Sequence, residues 1–483
     1  MPYESFSKKM ALHRVRRVVL YLVYIISVNI ACGQEFSIPS VSIQPLRPIG
    51  IRVSIPDIPK INLFVFQGNI NKQINNNDVG VITGEVINPV NGRWQYEDTN
   101  TALKVGDVIY YYVFVSYDGK GYILDKQTYT VRELESPTNS AGDCLPTLTT
   151  VRNSQACAGQ VIFEDNFDSL REDLWQIEQY IPDEPDYPFV SYQRPPKAQA
   201  VSVQGGYLYI APELLQSLPG FTNSSVYTDT LDLFSGCTAT SSKCQSEPWG
   251  ASILPPIVSG RLTSKSFAFK YGVVEVRAKL PKGDWLYPDI LLEPLMKKYG
   301  TLNYASGVLR IAGARGNMQL VSGNNAIGNQ LLYGGPILDF ECRKTLISNK
   351  LSNQAWGDDY HLYTARWEPE RITLSVDGIE WARVEPAASG LQSRFAQTCK
   401  LPRPLLATGT NMAPFDDFFY ITLGVAAGGI TEFDDDINSG GRPKPWRNRE
   451  RKASLRFWQD ASAWYPTWRD ENLVVDYVKV RAL

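Results

Sequence analysis

The chain has 483 residues, enough for two to four domains and a large buried core. Its 48 basic and 50 acidic side chains nearly cancel, which excludes the one-signed field that draws a protein onto nucleic acid or an anionic membrane surface. With only two histidines, His-based triads and His-based metal sites are nearly excluded as well, and 26 Tyr, 19 Phe and 11 Trp beside 36 Gly and 31 Pro favour an all-β chain.

In chain order, the first element is a basic stretch, KKMALHRVRR, followed by the apolar run VVLYLVYIISVNIACG. That run is signal-peptide length and short for a membrane span. Ala31 and Gly33 supply the small residues of a cleavage site, so residues 1–33 are read as a signal peptide and the mature chain as starting near Gln34, secreted, soluble and without a membrane span. A lipoprotein ending at Cys32 is the competing reading. Six cysteines remain: Cys144, Cys157, Cys237, Cys244, Cys342 and Cys399. An even count in an exported chain predicts disulfides; sequential pairing is the simplest arrangement, although spacing alone does not choose among the possibilities. Asn223, in NSS, is the one glycosylation sequon.

Over residues 41–135 short strands alternate with Gly, Asn and Asp turns: GIRVSIP, KINLFVFQGNI, GRWQYED, DVIYYYVFVSYDGKGY and QTYTV. This is the pattern of a small β-sandwich. Residues 136–159, poor in large apolar side chains, read as a linker, and 160–483 as one large all-β domain with long polar loops. The segment DDDINSGGRPKPWRNRERK reads as a surface loop. His361, in DDYHLYTARW, sits in an ordinary strand, and no glycine-rich phosphate loop is present. Carboxylate chemistry or binding is what remains.

Several separated segments carry a family resemblance. FEDNFDSLREDLW, SGRLTSKSFAFKYGVVEVRAKLPKGDWLYPDILLEP, SGVLRIAGARGN, GDDYHLYTARWEPERITLSVDGIEW, FFYITLGVAAGG and VVDYVKV together resemble glycoside hydrolase family 16, nearest its β-1,3-glucanases. The first domain, with VSIPD, LFVFQGNIN, NGRW, LKVGDVIYYYVFV and DGKGY, resembles carbohydrate-binding module family 39. The two in this order resemble the arthropod β-1,3-glucan recognition proteins, also called Gram-negative-bacteria-binding proteins. The resemblance implies an immunoglobulin-like β-sandwich module at 41–135, joined to a concanavalin-like β-jelly roll whose curved inner sheet forms a sugar cleft. It implies a haemolymph protein that binds microbial β-1,3-glucan and other microbial wall polymers, and that passes a signal to extracellular serine proteases of the Toll or prophenoloxidase cascades. No cofactor and no metal is implied. Glu164 and Asp476 lie where family 16 enzymes sometimes hold a structural calcium, but two residues do not make a site.

Active members carry SGEIDIMESRGN where this chain has SGVLRIAGARGN. The nucleophile, the assisting acid and the acid/base therefore fall on Val308, Arg310 and Gly313, while Ser306, Gly307, Ile311, Arg315, Gly316 and Asn317 are kept. Retaining hydrolysis needs two carboxylates about 5 to 5.5 Å apart, and none of these three residues is one. Asp289 and Glu293 are the nearest acids that could substitute, which leaves an active secreted β-1,3-glucanase as the alternative reading; a recruiter that no longer binds glucan is a third. Arg310 should pair with an acid lining the old cleft, because an unpaired buried guanidinium is expensive.

Candidates for sugar contact are Trp285 and Tyr287, in GDWLYP, each with core packing as the alternative, and in the module Asp57, Arg93, Trp94, Tyr96 and Asp98. An uncharged polyol is held by aromatic faces together with hydrogen-bonding carboxylates, amides or guanidiniums. Strand alternation puts Trp94 and Tyr96 on one face, where both meet ligand or both meet the core. Tyr110, Tyr111 and Tyr112 must show both faces of their strand, and packing is their expected use.

Overall fold

The computed structural model describes residues 36–46, 49–76, 78–89, 92–98, 101–134, 144–152 and 154–483. The segment read as a signal peptide lies outside the described residues, as do 135–143 of the module end and linker. The chain divides into two compact units with the boundary near residues 146–156.

Among the described residues up to 134 the first unit has seven strands: β1 (Ser42–Pro45), β2 (Ile51–Pro56), β3 (Ile61–Ile70), β4 (Ile82–Val86), β5 (Arg93–Asp98), β6 (Val108–Tyr117) and β7 (Lys120–Thr130). They form a three-stranded sheet, β1-β2-β5, and a four-stranded sheet, β4-β3-β6-β7. Ile51, Val53, Ile55 and Trp94 of the first meet Phe64, Phe66, Ile109, Val113 and Val115 of the second in one core, so the unit is a β-sandwich. Period-two alternation builds it: along β6 every second residue is buried, which turns Tyr111 inward onto Phe66 (ring centroids 5.3 Å apart) and leaves Tyr110 and Tyr112 outside. Gly84 of β4 has no alternative, because a Cβ there would lie 2.2 Å from the Tyr96 ring that crosses it.

The second unit is a jelly roll of two antiparallel sheets on one continuous core. The eight-stranded sheet centres on Gly272–Lys279, between Leu473–Arg481 and His361–Trp367. The other runs in the order Ser348–Leu351, Leu331–Ile337, Val308–Gly313, Leu286–Pro294, Phe419–Ala427, and takes Arg261–Thr263 as a further partner of Phe419–Ala427. Thr150 and Val151 pair with Lys270 and Phe269, so part of the segment read as linker is a strand of this unit, which begins before residue 160.

Strands of the inner sheet are buried on both faces: every residue of Val308–Gly313 and of Phe419–Ala427 is buried. One face is the core. The other should be the floor of an open groove, and its burial means that something covers it.

Two disulfides are placed, Cys237–Cys244 and Cys342–Cys399, and Cys144 and Cys157 are also disulfide-bonded. No helix among the described residues is long and apolar enough to cross a membrane. The Cys342–Cys399 bridge spans 57 residues and Cys237–Cys244 only 7. Loop-closure entropy therefore predicts that Cys342→Ala with Cys399→Ala costs about 4 kcal/mol against about 2.5 kcal/mol for the shorter bridge. Denaturant titration of the two double variants checks the order, and equal losses would contradict it.

Candidate functional site

Two faces carry the candidate residues, one in each unit. On β5 of the module, Trp94 is 3% exposed and belongs to the core. Its indole N–H donates to Asp57 Oδ1 at 2.9 Å, so Asp57 satisfies a buried donor from an exposed position. Tyr96 is half-buried against the same core, flat over Gly84; burial, and then the Asp98 carboxylate, push its hydroxyl up to about 12. Asp98 accepts from the Thr101 hydroxyl. Trp94 and Tyr96 do share a face, and it is the one turned to the core between the two sheets, where Phe64, Phe66 and Tyr111 of the second sheet also lie.

The opposite phase of β5 presents Arg93, Gln95 and Glu97. In register beside them stand Pro56, Ser54 and Arg52 of β2, and beyond those Gln44 and Ser42 of β1. Arg52 Nε donates to Glu97 at 2.9 Å and Arg93 Nε to Ser54 Oγ at 3.0 Å. The result is a face of guanidinium, amide, carboxylate and hydroxyl groups on which Gln95 is exposed, the Arg52–Glu97 pair is largely buried and Ser54 is buried. Of these only Arg93 had been singled out from sequence. Arg52, Ser54, Gln95 and Glu97 were missed, although the alternation that placed Trp94 and Tyr96 together places Arg93, Gln95 and Glu97 together too.

In the second unit, Leu309 and Ile311 enter the core, and Val308 and Arg310 point to the other face of the sheet. Gly313 has no room for a side chain: a Cβ would lie 2.9 Å from the Tyr333 ring. Arg310, 4% exposed, donates to the Pro288 carbonyl at 2.8 Å and stands 3.5 Å from Asp289 Oδ1, the acid partner expected for it. Asp289 Oδ2 accepts from Arg261 Nη1 at 2.7 Å, and Arg261 Nη2 reaches Glu293 at 2.7 Å. Thr422 donates to the same Glu293 oxygen at 2.5 Å. Burial alone would raise Glu293, but Arg261 and the Thr422 hydroxyl outweigh it and hold the carboxyl below its usual range. Burial pushes Asp289 upward against the pull of Arg261 and Arg310.

The cover over this floor is the segment 181–188. Its Asp186 accepts from Arg343 at 2.5 Å, from Thr431 at 2.5 Å and from the Tyr304 hydroxyl, three residues from three different strand ends. Tyr287, 5% exposed, faces a remnant of 160 Å³ beneath it, together with Tyr192 and Tyr304. Trp285, 2% exposed, packs edge-on against Phe433 and Trp446 with centroids 5.2 and 5.0 Å away, and Asn317 Oδ1 accepts its backbone N–H at 2.9 Å where φ is +68°. Neither ring is an open platform: Trp285 completes an aromatic core and Tyr287 is roofed. Glu164 and Asp476 are ion-paired to Lys479 and Arg277 respectively. Among the described residues the one cluster with metal-ligand character, Asp339 with Cys342 and Cys399, has its two sulfurs joined in a disulfide. Asn223 is exposed.

Comparison with known proteins agrees with this two-unit layout. Residues 37–143 match the family CBM39, described as Carbohydrate binding domain (family 32). The chain is 56% identical to the Beta-1,3-glucan-binding protein of Hyphantria cunea, over 94% of this chain and 98% of that one. It is 36% identical to Beta-1,3-glucan-binding protein 1 of Manduca sexta (96% and 99% covered) and 32% identical to Gram-negative bacteria-binding protein 3 of Drosophila melanogaster (93% and 95% covered). The chain belongs to this family of β-1,3-glucan-binding and Gram-negative bacteria-binding proteins. These relatives are named for binding and not for hydrolysis. Among solved structures it is similar to the laminarinase from Rhodothermus marinus, at 18% identity over 67% of this chain and 98% of that one, with a TM-score of 0.42.

Because folding raises the Tyr96 pKa above its usual value of 10, the folded module binds this proton more tightly than the unfolded chain. Its contribution is complete below pH about 10 and declines as pH rises toward about 12. Tyr96→Phe should therefore flatten the alkaline fall in stability, read by denaturant titration at a series of pH values; an unchanged alkaline slope would contradict the placement.

Proposed function

We propose that this is a secreted recognition protein that binds microbial β-1,3-glucan through the polar outer face of β1-β2-β5 and does not hydrolyse it. The observation that carries the reading is that face itself, located in the unit that matches a carbohydrate-binding family. A glucan strand offers a repeating row of neutral hydroxyls, each both donor and acceptor. Arg52, Arg93, Gln95 and Glu97 supply fixed partners of both kinds, with the Arg52–Glu97 pair holding two of them in place before ligand arrives. Asp57 lies near the end of the same surface, its backbone N–H bonded to Gly92. Other wall polymers with exposed hydroxyl rows would meet the same groups.

The second unit supports the absence of hydrolysis. Val308 cannot attack an anomeric carbon, Arg310 stays protonated, and Tyr333 fills the space of any side chain at Gly313. Asp289 and Glu293, the substitute acids, are bound to the two amino groups of one guanidinium, so Arg261 occupies the place between them where a sugar would have to react. A buried acid engaged in this way is neither a free nucleophile nor a ready proton donor. This argues against the glucanase alternative.

Secretion is supported by the basic-then-apolar amino terminus and by six disulfide-bonded cysteines. Several copies captured along one polymer would be brought to high local concentration, a means of activating extracellular serine proteases without any new contact inside each copy. Retention on insoluble curdlan tests the binding face: Arg93→Ala or Glu97→Ala should weaken it at least about tenfold, the cost of one charge-assisted hydrogen bond. Unchanged retention in both, or retention by the second unit alone, would overturn the assignment.

A further inference from the structure

The cleft face of the Val308–Gly313 strand borders a cavity of 270 Å³ lined by Arg310, Arg315, Tyr333, Arg343 and Lys344. Ser322, Asn325 and Asn349 add neutral hydrogen-bonding groups. The guanidiniums of Arg310 and Arg315 both lie over the Tyr333 ring, 5.4 and 5.0 Å from its centroid. Four cations thus face two lining carboxylates, Glu432 and Asp434.

The ion pairs are unequal. Arg315 has Glu432 at 3.0 Å, Arg343 has Asp186 at 2.5 Å, and Lys344 has Asp434 at 2.5 Å. Arg310 has Asp289 only at 3.5 Å, with Arg261 already holding that carboxylate at 2.7 Å, and it shares the charge of Glu432 with Arg315. Pro288 takes one of the five N–H groups of Arg310. A guanidinium this deeply buried is completed at low cost by an anion that enters from the cavity side.

We infer that this cavity binds one acidic sugar unit, its carboxylate or phosphate on Arg310 and its hydroxyls on the Asn and Ser side chains. The volume is just below the range of drug-sized sites, which begins at about 300 Å³, and suits a single ring rather than a chain. The neutral lining groups favour a hydroxylated ligand over a bare anion. This site is in the second unit and does not depend on the glucan face of the module, so either assignment can fail without the other.

The test is calorimetric titration of the full chain with glucuronate and with glucose 6-phosphate, against glucose and inorganic phosphate. Saturable binding of at least one acidic sugar, at least tenfold tighter than either control, is expected. Glucuronate alone identifies the carboxylate source and glucose 6-phosphate alone the phosphate source. Lys344→Ala, at an exposed position, should weaken that binding at least threefold, and Arg310→Gln should abolish it while curdlan retention by the same preparation is unchanged. No binding of either acidic sugar, equal binding of a control, or full binding by Lys344→Ala overturns the inference.

Discussion

Arg261 holds Asp289 with one amino group and Glu293 with the other, and much of the second unit's behaviour follows from this one buried guanidinium. A charge removed from water must be matched by charge and hydrogen bonds where it lies, and removing one partner of such a group costs about 3 to 5 kcal/mol. With Asp289 anchored by Arg261, a second guanidinium, Arg310, is tolerated on the sheet at 3.5 Å. The four groups alternate in sign, and both acids serve as counterions.

The same logic closes the roof. Asp186 descends from the 181–188 segment into Arg343, Tyr304 and Thr431, and ties together three strand ends that would otherwise border an open groove. What is left is a set of cavities, of which the one beside Arg310 has more cations than carboxylates in its lining. In the module the division of labour is reversed: aromatic side chains go to the core, and the surface is left to Arg52, Arg93, Gln95 and Glu97. On the proposed reading, recognition of a neutral polymer there rests on hydrogen-bond geometry and not on aromatic stacking.

The architecture was legible in the sequence because both units are built from alternation, and alternation is written locally. The β6 run VIYYYVFVSY fixes which tyrosine is inside once its neighbours are counted. Alternation gives the phase of a strand but not its sign, and that is why Trp94 and Tyr96 could be grouped but not assigned to ligand or core. The partner of Arg310 was legible from the cost of leaving it alone. Arg261 was not, since its role exists only where Arg261–Thr263 pairs with Phe419–Ala427, far along the chain. Trp285 was left between cleft and core for a related reason: Phe433 and Trp446, which bury it, lie far along the chain.

The central claim is that the second unit keeps the jelly roll and has given its acids to structure. Incubating the purified full chain with laminarin and measuring reducing ends tests it most directly. The account predicts no release above the protein-free blank from a preparation that is still retained on curdlan. Release of reducing sugar that disappears on Asp289→Asn or Glu293→Gln would contradict it.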